Sequence, residues 1–203
     1  MADPEPLALD SLLEDVRACR VCAPFLPHPP RPVLRAKESA RLLVIGQAPG
    51  VRVHETGIPW NDRSGDRLRA WLGLTREAFY DAERIAIVPM GFCFPGTDHK
   101  GGDRPPRKEC APLWHSRILA QLTNVELVLL VGGHAQRFYL GRRAQARLTE
   151  TVRAWRAYGP RYLPLPHPSW RNTGWLKRNP WFMAELVPVL RQRLGSLLGE
   201  TGK

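Results

Sequence analysis

The sequence lacks any apolar run approaching the roughly 20 residues that a bilayer span requires. Its first segment also lacks the basic region with which a signal peptide begins. These two absences predict a cytoplasmic protein that is not attached to a membrane. Acidic residues are few as well: 19 aspartates and glutamates stand against 30 lysines and arginines, which gives a net charge of +11. Such an excess suits a polyanion such as DNA or RNA, although a GC-rich genome also favours arginine.

Cysteine is scarce, and structural disulfides are disfavoured in the cytosol. Cys19 and Cys22 form a CxxC pair, whereas a Gly- and Pro-rich stretch separates Cys93 from Cys110. Four thiolates suit an iron–sulfur cluster or zinc, and a zinc ribbon would more often show a second CxxC pair. The alternative is four unrelated buried thiols, since cysteine is often only a small core residue.

Short apolar runs alternate with helical patterns along the chain, which predicts a parallel sheet covered on both faces. Strands are predicted over residues 41–46, 84–90, 125–132 and 161–165. Helices are predicted over residues 6–19, 64–72, about 107–122, 134–140, 148–155 and from 179 onward, with Ser64 as an N-cap, Gly73 as a terminator and a bend at Pro188. Residues 23–36 hold five prolines and indicate an extended connection, and residues 99–106 indicate a mobile loop. Without a domain boundary or repeat, residues 1–203 predict one three-layer α/β/α domain with a central four-stranded parallel sheet.

The region from residue 42 to residue 65 contains the first candidate site. A buried strand ends there in the turn Gly46-Gln47-Ala48-Pro49-Gly50. A rigid turn at the carboxyl end of a parallel strand is where open α/β sheets bind ligands. Glycine lets the backbone approach a bound group, and Pro49 stiffens the turn. An ordinary strand-to-helix loop would explain the glycines, but it explains poorly the polar and aromatic residues that follow: His54, Glu55, Trp60, Asn61 and Asp62.

A second motif, HPSWRN, follows the fourth predicted strand and begins at His167. At the carboxyl end of a parallel strand, His167 would lie beside the Gln47 turn at the same edge of the sheet. A lone histidine is more often structural. Here Pro166 and Pro168 restrain it on both sides, and groups able to stack and to form hydrogen bonds follow, so the pattern favours a functional residue.

Together these residues resemble the uracil-DNA glycosylase superfamily over nearly the whole chain, from Cys19 to about Phe182. GQAPG resembles the family's first motif, and His-Pro-Ser resembles its second. Residues 56–68 are similar to a loop of the iron–sulfur branch, usually called families 4 and 5. The resemblance implies a four-iron, four-sulfur cluster, with zinc as the alternative, and two of its ligands would lie within residues 1–36. The implied ligands are Cys19, Cys22, Cys93 and Cys110.

The resemblance also implies a monomeric repair enzyme that flips a damaged nucleotide out of DNA and hydrolyses the bond between base and sugar. Trp60 would stack on the base, and a neutral His167 would donate a hydrogen bond to the departing base. Arg171 falls where relatives place the side chain that enters the space left by the flipped nucleotide. The other implied substrate contacts are Gly46, Ala48, Pro49, Asn61, Ser169 and Asn172.

The chain departs from the family pattern in two places. Relatives carry an acid at the position of Gln47 or of Ala48, so the group that activates water must come from elsewhere. His54 and Glu55 fall where some iron–sulfur relatives carry polar or acidic residues, and Asp62 is a further candidate. With Gln47, whose backbone groups the turn would offer to the base, His54, Glu55 and His167 form the expected catalytic set. Uracil-specific relatives carry an asparagine near Pro89. Its absence leaves hypoxanthine and xanthine open beside uracil, which is the first choice. The alternative function is a nucleic-acid-binding member of the same fold that does not excise a base.

Overall fold

The computed structural model describes residues 8–99 and 101–199 of the protein. A parallel four-stranded sheet with the order β2-β1-β3-β4 forms its centre. The strands are β1 (Leu42–Ile45), β2 (Ile85–Ile87), β3 (Leu127–Val131) and β4 (Tyr162–Leu165). Each lies within a range predicted from the sequence, so the predicted parallel sheet is confirmed.

Helices cover both faces of this sheet. Those helices are α1 (Leu9–Ala18), α2 (Val51–Thr56), α3 (Arg63–Leu72), α4 (Arg76–Phe79), α5 (Cys110–Gln121), α6 (Gly133–Leu140), α7 (Leu148–Arg153), α8 (Thr173–Arg178) and α9 (Val187–Leu198). Alternate residues of a strand face opposite sides of the sheet. Leu43 and Ile45 of β1 therefore join one core with α1, α5 and α6, while Leu42 and Val44 join a second core with α3 and α9. This confirms the predicted three-layer α/β/α fold.

Helix α3 begins differently from the prediction. Its N-cap is Asp62, whose carboxylate accepts a hydrogen bond from the Gly65 N–H at 2.8 Å. The prediction of Ser64 as N-cap was wrong, because the aspartate two residues earlier already pairs with one of the free N–H groups of the first turn. The predicted terminator Gly73 is confirmed, since it ends α3 in the left-handed conformation with a φ of 70°.

The short helix α2 lies between the turn after β1 and Trp60, where no helix was predicted from the sequence. Arg31, in the proline-rich connection, donates hydrogen bonds to the carbonyl oxygens of His54 and Glu55 at 2.6 and 2.7 Å. These two carbonyls lie at the carboxyl end of α2, where a helix has no internal partners for its last carbonyl groups. The helix therefore depends on a contact between segments that are distant in sequence.

The extended connection runs along the free edge of β2. Arg35 and Ile87 exchange two backbone hydrogen bonds at 2.9 and 2.7 Å, and the Val33 N–H donates to the Phe92 carbonyl at 2.8 Å. An uncovered strand edge invites pairing with other chains, so this segment protects the sheet.

The helices at the two ends of the chain agree only in part with the predictions. Residues 6 and 7 of the predicted first helix lie outside the described residues. Near the other end, the sequence predicted a bend at Pro188, which has no N–H to donate to the helix ladder. A π-helical segment, Phe182–Leu186, directly precedes α9 there. In the described part of the chain, no helix is long and apolar enough to cross a membrane.

Candidate active site at the carboxyl edge of the sheet

A cleft of about 570 Å³ opens at the carboxyl end of β1. The strand order reverses between β1 and β3, and open α/β sheets bind their ligands at such a point. Both sequence motifs reach this cleft. The residues around it include the turn 46–50, Trp60, Asp62, Asp103, His167 and Ser169.

Trp60 and His167 are in contact within this cleft. Their ring centroids lie 5.6 Å apart, with an angle of 33° between the ring planes. The indole also covers the turn after β1, because a Cβ added at Gly46 would lie only 2.6 Å from Trp60 Cζ2. The position of the indole therefore requires glycine at residue 46. Trp60 contacts both the turn after β1 and His167, and so connects the two sequence motifs.

Helix α3 and its neighbours hold Trp60 in an uncommon backbone conformation. Its φ is 57°, in the left-handed region, which costs a large side chain about 1 kcal/mol or more. Arg69 donates to the Trp60 carbonyl at 3.2 Å, and the Tyr80 hydroxyl donates to the preceding carbonyl, that of Pro59, at 2.8 Å. Gly65 leaves space for the same Trp60 carbonyl, since a Cβ there would collide with it. These contacts fix the orientation of the indole.

His167 is held as a neutral imidazole of defined tautomer. The Ser169 N–H donates to His167 Nδ1 at 3.2 Å, so the remaining proton lies on Nε2. Burial lowers the pKa of His167 to about 4, against a smaller opposing effect of the Asp62 carboxylate. At neutral pH, Nε2 is therefore a hydrogen-bond donor without a positive charge.

The loop that carries His167 is braced from several sides. Asn172 donates to the His167 carbonyl at 2.7 Å, and Arg67 of α3 donates to the Ser169 carbonyl at 3.1 Å. The Ser169 hydroxyl accepts from the Arg171 N–H at 3.3 Å. Ser169 and Asn172, both predicted substrate contacts, thus have hydrogen bonds that shape the loop, while Ser169 also lines the cleft.

The end of β2 forms another wall of the cleft through Pro89. Its carbonyl accepts a hydrogen bond at 3.0 Å from His115, a buried residue of α5 that the motifs did not indicate. Burial lowers the pKa of His115 to about 4, so its ring is neutral, and Nδ1 accepts from the Tyr139 hydroxyl at 2.5 Å. The next two N–H groups, those of Met90 and Gly91, donate to the carbonyls of the turn after β1 at 2.9 Å. Uracil-specific relatives carry an asparagine near this position. Here Pro89 forms the wall and offers no side-chain amide to a base.

Three predicted site residues line neither this cleft nor the wider groove outside it: His54, Glu55 and Asn61. The His54 ring packs on His28 at 5.3 Å and on Phe94 at 5.9 Å, and burial lowers its pKa. Asn61 forms hydrogen bonds within its own neighbourhood, to Thr56 and Arg76. Gln47 lines the cleft, but its side-chain amide donates to the Arg104 carbonyl at 3.3 Å.

Asp103 also lines the cleft, although no sequence pattern indicated it as a site residue. It lies in the segment predicted as a mobile loop, of which Lys100 lies outside the described residues, and it pairs with Thr97 in an antiparallel bridge. Partial burial raises the pKa of the Asp103 carboxyl, and the neighbouring Asp62 raises it further. A polar, glycine-rich segment carries no local pattern that distinguishes a cleft residue from a solvated one.

A wider groove of about 1290 Å³ continues outward from the cleft. The guanidinium-bearing residues Arg52, Arg63 and Arg171 line it beside Trp170, whose side chain is 70% exposed. The groove and the cleft share His167 and Asp103. A basic groove with an exposed aromatic side chain suits a nucleic-acid strand.

The cysteines lie together on another part of the molecule, around a cavity of about 440 Å³ that all four of them line: Cys19, Cys22, Cys93 and Cys110. None is in a disulfide. Burial raises the pKa of Cys93 to about 11 and that of Cys110 to about 12, so a bound cation is needed to hold them as thiolates. Four thiols around one cavity fit a thiolate-ligated cluster. Within residues 8–99 and 101–199, however, no three His, Cys, Asp or Glu side chains are grouped as the ligands of a metal ion.

A comparison of the sequence with models of known protein families bears on this site. The family model of the uracil DNA glycosylase superfamily matches residues 34–191. The match includes the turn after β1, Trp60, His167, Cys93 and Cys110, and it begins after the CxxC pair. The chain therefore belongs to the uracil DNA glycosylase superfamily.

Proposed function

We propose that this protein is a monofunctional DNA glycosylase that hydrolyses the N-glycosidic bond of a deaminated base in DNA. Membership of the superfamily supports glycosylase chemistry. The observation that carries the proposal is the contact between Trp60 and His167, at a centroid distance of 5.6 Å in the cleft. One aromatic face and one neutral N–H donor are the two groups that a flipped, departing base needs beside it.

His167 and Trp60 have separate roles in the proposed reaction. As the bond between C1′ and the base nitrogen breaks, its electron pair moves to the base and the sugar gains oxocarbenium character. The N–H on His167 Nε2 donates to the oxygen on which negative charge develops. Because its pKa is about 4, His167 is neutral at physiological pH and does not need to lose a proton first. Trp60 stacks on the flipped base, which is worth roughly 1–3 kcal/mol.

The base that is excised depends on what the cleft can read. Uracil is the first choice, with hypoxanthine and xanthine as alternatives. The Pro89 carbonyl is already bonded to His115, and the following N–H groups are bonded to the turn after β1. The backbone groups of this wall are therefore already paired within the protein and do not offer a free donor and acceptor pair with which to select uracil. Hypoxanthine and xanthine are for this reason tested together with uracil.

The proposed cofactor is a four-iron, four-sulfur cluster held by the four cysteines that line one cavity. The shared cavity, together with a single CxxC pair where a zinc ribbon would more often show two, supports the cluster over zinc. Its role is structural, because it would join the end of α1 to the loop after β2 and to the start of α5.

DNA is the proposed partner because the groove outside the cleft is basic. Arg52 and Arg63 line that groove, and the whole chain carries a net charge of +11. Arginine pairs with phosphate oxygens in a bidentate manner. A strand in this groove would bring one flipped nucleotide to His167.

The proposal is tested by incubating the purified protein with oligonucleotides that contain a single uracil, hypoxanthine or xanthine, in single-stranded and double-stranded form. Heating in alkali then cleaves any abasic site, and we expect one of the substrates to be cut. The second candidate function, DNA binding without excision, is favoured by the lack of an acid in the turn, where Ala48 has no polar side-chain atom. Binding of every substrate without release of any base would support that second function.

A further inference from the structure

The turn after β1 supplies no acid to the cleft. Gln47 is an amide whose Nε2 atom is bonded to the Arg104 carbonyl, and Ala48 has no polar side-chain atom. Hydrolysis of a glycosidic bond needs a base to remove a proton from the attacking water. Two carboxylates from outside the turn line the cleft, those of Asp62 and Asp103.

Asp62 is already committed to another role. Its Oδ1 atom caps α3 by accepting from the Gly65 N–H at 2.8 Å. Asp103 differs, because within residues 8–99 and 101–199 no hydrogen bond to its carboxylate is found, and the residue is exposed to solvent. A carboxylate that lines the cleft without a protein donor can accept a hydrogen bond from water.

Gly50 brings the Asp103 carboxylate close to the turn. A Cβ added at Gly50 would lie 3.3 Å from Asp103 Oδ2 and 3.9 Å from its Cγ. The Gly50 backbone has a φ of −82° and a ψ of 176°, which any residue can adopt. Glycine at this position therefore serves space rather than conformation. A side chain at this position would press on the Asp103 carboxylate, which lies directly beside the turn.

Several contacts fix the segment that carries Asp103. Thr97 and Asp103 form a backbone bridge, and the Arg104 N–H donates to the Gly96 carbonyl at 2.9 Å. On one side the Arg104 carbonyl accepts from Gln47. On the other, the Arg171 guanidinium lies against Gly102, so closely that a Cβ there would collide with it. The Asp103 segment is thus attached to both motifs of the site.

We propose that Asp103 is the catalytic base that activates the attacking water, an inference that rests on the proposed glycosylase function. The carboxylate takes one proton from the water as the water oxygen bonds to C1′. The bond between C1′ and the base nitrogen breaks, and its electron pair leaves with the base, whose charge His167 stabilises. The protonated Asp103 then returns the proton to the base, directly or through solvent. The products are the free base and an abasic sugar with a hydroxyl at C1′.

The electrostatic surroundings agree with this role. Burial raises the pKa of Asp103, Asp62 and Asp98 raise it further, and Arg171 lowers it. A raised pKa makes the carboxylate a better proton acceptor. His167, the other titratable group beside Asp62, has a pKa lowered by burial to about 4 and is therefore neutral at neutral pH.

The test is Asp103→Asn, which keeps the shape of the side chain and removes its basicity. The substrate is an oligonucleotide that the wild type cleaves. We expect the single-turnover rate to fall by about 10²-fold or more, with DNA affinity and thermal stability unchanged. The wild-type rate should rise with pH along a limb governed by Asp103, above the ordinary aspartate range, and that limb should be absent from the variant. Asp15→Asn removes the same charge from α1 and should leave the rate unchanged.

The outcomes separate two kinds of failure. A wild type that cleaves its substrate and an Asp103→Asn variant with an equal rate would overturn the assignment of Asp103 alone. A loss of DNA affinity that accounts for the whole decrease in cleavage would overturn it too, because it would give Asp103 a binding role. A wild type that cleaves no substrate would reject the glycosylase function and this inference together.

Discussion

The indole of Trp60 and the imidazole of His167 form one surface, with ring centroids 5.6 Å apart, although the two residues belong to different loops. Gly46 permits this arrangement, because the indole lies where a Cβ at Gly46 would be. The proposed excision of a base would therefore depend on three residues: Gly46, Trp60 and His167. The relationship leads to a test that does not alter either ring.

Gly46→Ala should impair excision by displacing the Trp60 indole. The added Cβ would lie 2.6 Å from Cζ2, far inside van der Waals contact, so the ring must move. We expect a decrease of at least tenfold in the single-turnover rate, comparable to that of Trp60→Ala, since stacking is worth roughly 1–3 kcal/mol. Stopped-assay kinetics on the cleaved oligonucleotide would measure both.

The double variant Gly46→Ala/Trp60→Ala makes this test specific. If Gly46 acts through the indole, the second substitution should add little to the first. Gly174→Ala is the matched control, because a Cβ at Gly174 would meet only the end of the Arg178 side chain, at an ordinary 3.6 Å. Fully additive losses from Gly46→Ala and Trp60→Ala would show that the two residues act independently.

Sequence patterns predicted the fold well because its sheet is buried on both faces. The strands are then nearly continuous apolar runs, such as Leu127–Val131, bounded by polar residues and glycines. The position of His167 beside the Gln47 turn also followed from the sequence, since the carboxyl ends of parallel strands share one edge of a sheet. Superfamily membership, inferred from the motifs, is confirmed.

The remaining features depend on contacts between distant segments, which local patterns do not encode. Helix α2 is completed by Arg31, and His115 reaches Pro89 from another layer of the fold. Asp103 lies in a stretch whose composition indicates only a loop. The candidates His54 and Glu55 were chosen because they fall where some iron–sulfur relatives carry polar or acidic residues, whereas α2 places them outside the cleft lining.

DNA affinity should fall steeply with salt. Each phosphate contact releases counterions, so log affinity should change with log salt by a slope of about −0.9 per contact. Arg52→Gln, in the groove, should make the slope shallower by about 0.9. Arg193→Gln is the control, since Arg193 donates to the Pro160 carbonyl near the amino end of β4. Fluorescence anisotropy at several salt concentrations measures the slope, and a flat response in the wild type would reject the polyanion interpretation.

Protein purified without oxygen should be brown and should contain iron. Thiolate-ligated iron–sulfur centres absorb broadly near ~400 nm. Cys110→Ser should lose this absorption and weaken the attachment of α1, whose buried residues pack in the same core as α5. Metal analysis together with hydrogen exchange of α1 provides the measurement. Stoichiometric zinc without iron would contradict the cluster.

Stability should decrease in mild acid because of the buried histidines. Folding lowers the pKa of His115 to about 4 from its ordinary 6.5, so the unfolded chain binds more protons between these values. The contribution of neutral His115 to the free energy of unfolding is fully present above pH 6.5 and is lost as the pH falls toward 4. The loss between pH 6.5 and pH 5 is about 2 kcal/mol. His115→Gln keeps a donor and an acceptor but should remove this part of the pH dependence. Urea unfolding at pH 7.5 and pH 5.0 would show it, and equal pH dependence in both proteins would refute it.

The measurement that tests the central claim most directly is the single-turnover rate of His167→Ala on an oligonucleotide that the wild type cleaves. This substitution removes a donor aimed at charge that develops only in the transition state. The account predicts a loss on the order of a hundredfold or more, with unchanged affinity for DNA, while His99→Ala, an exposed histidine outside the cleft lining, keeps the wild-type rate. A His167→Ala protein that cleaves as fast as the wild type would contradict the proposed site.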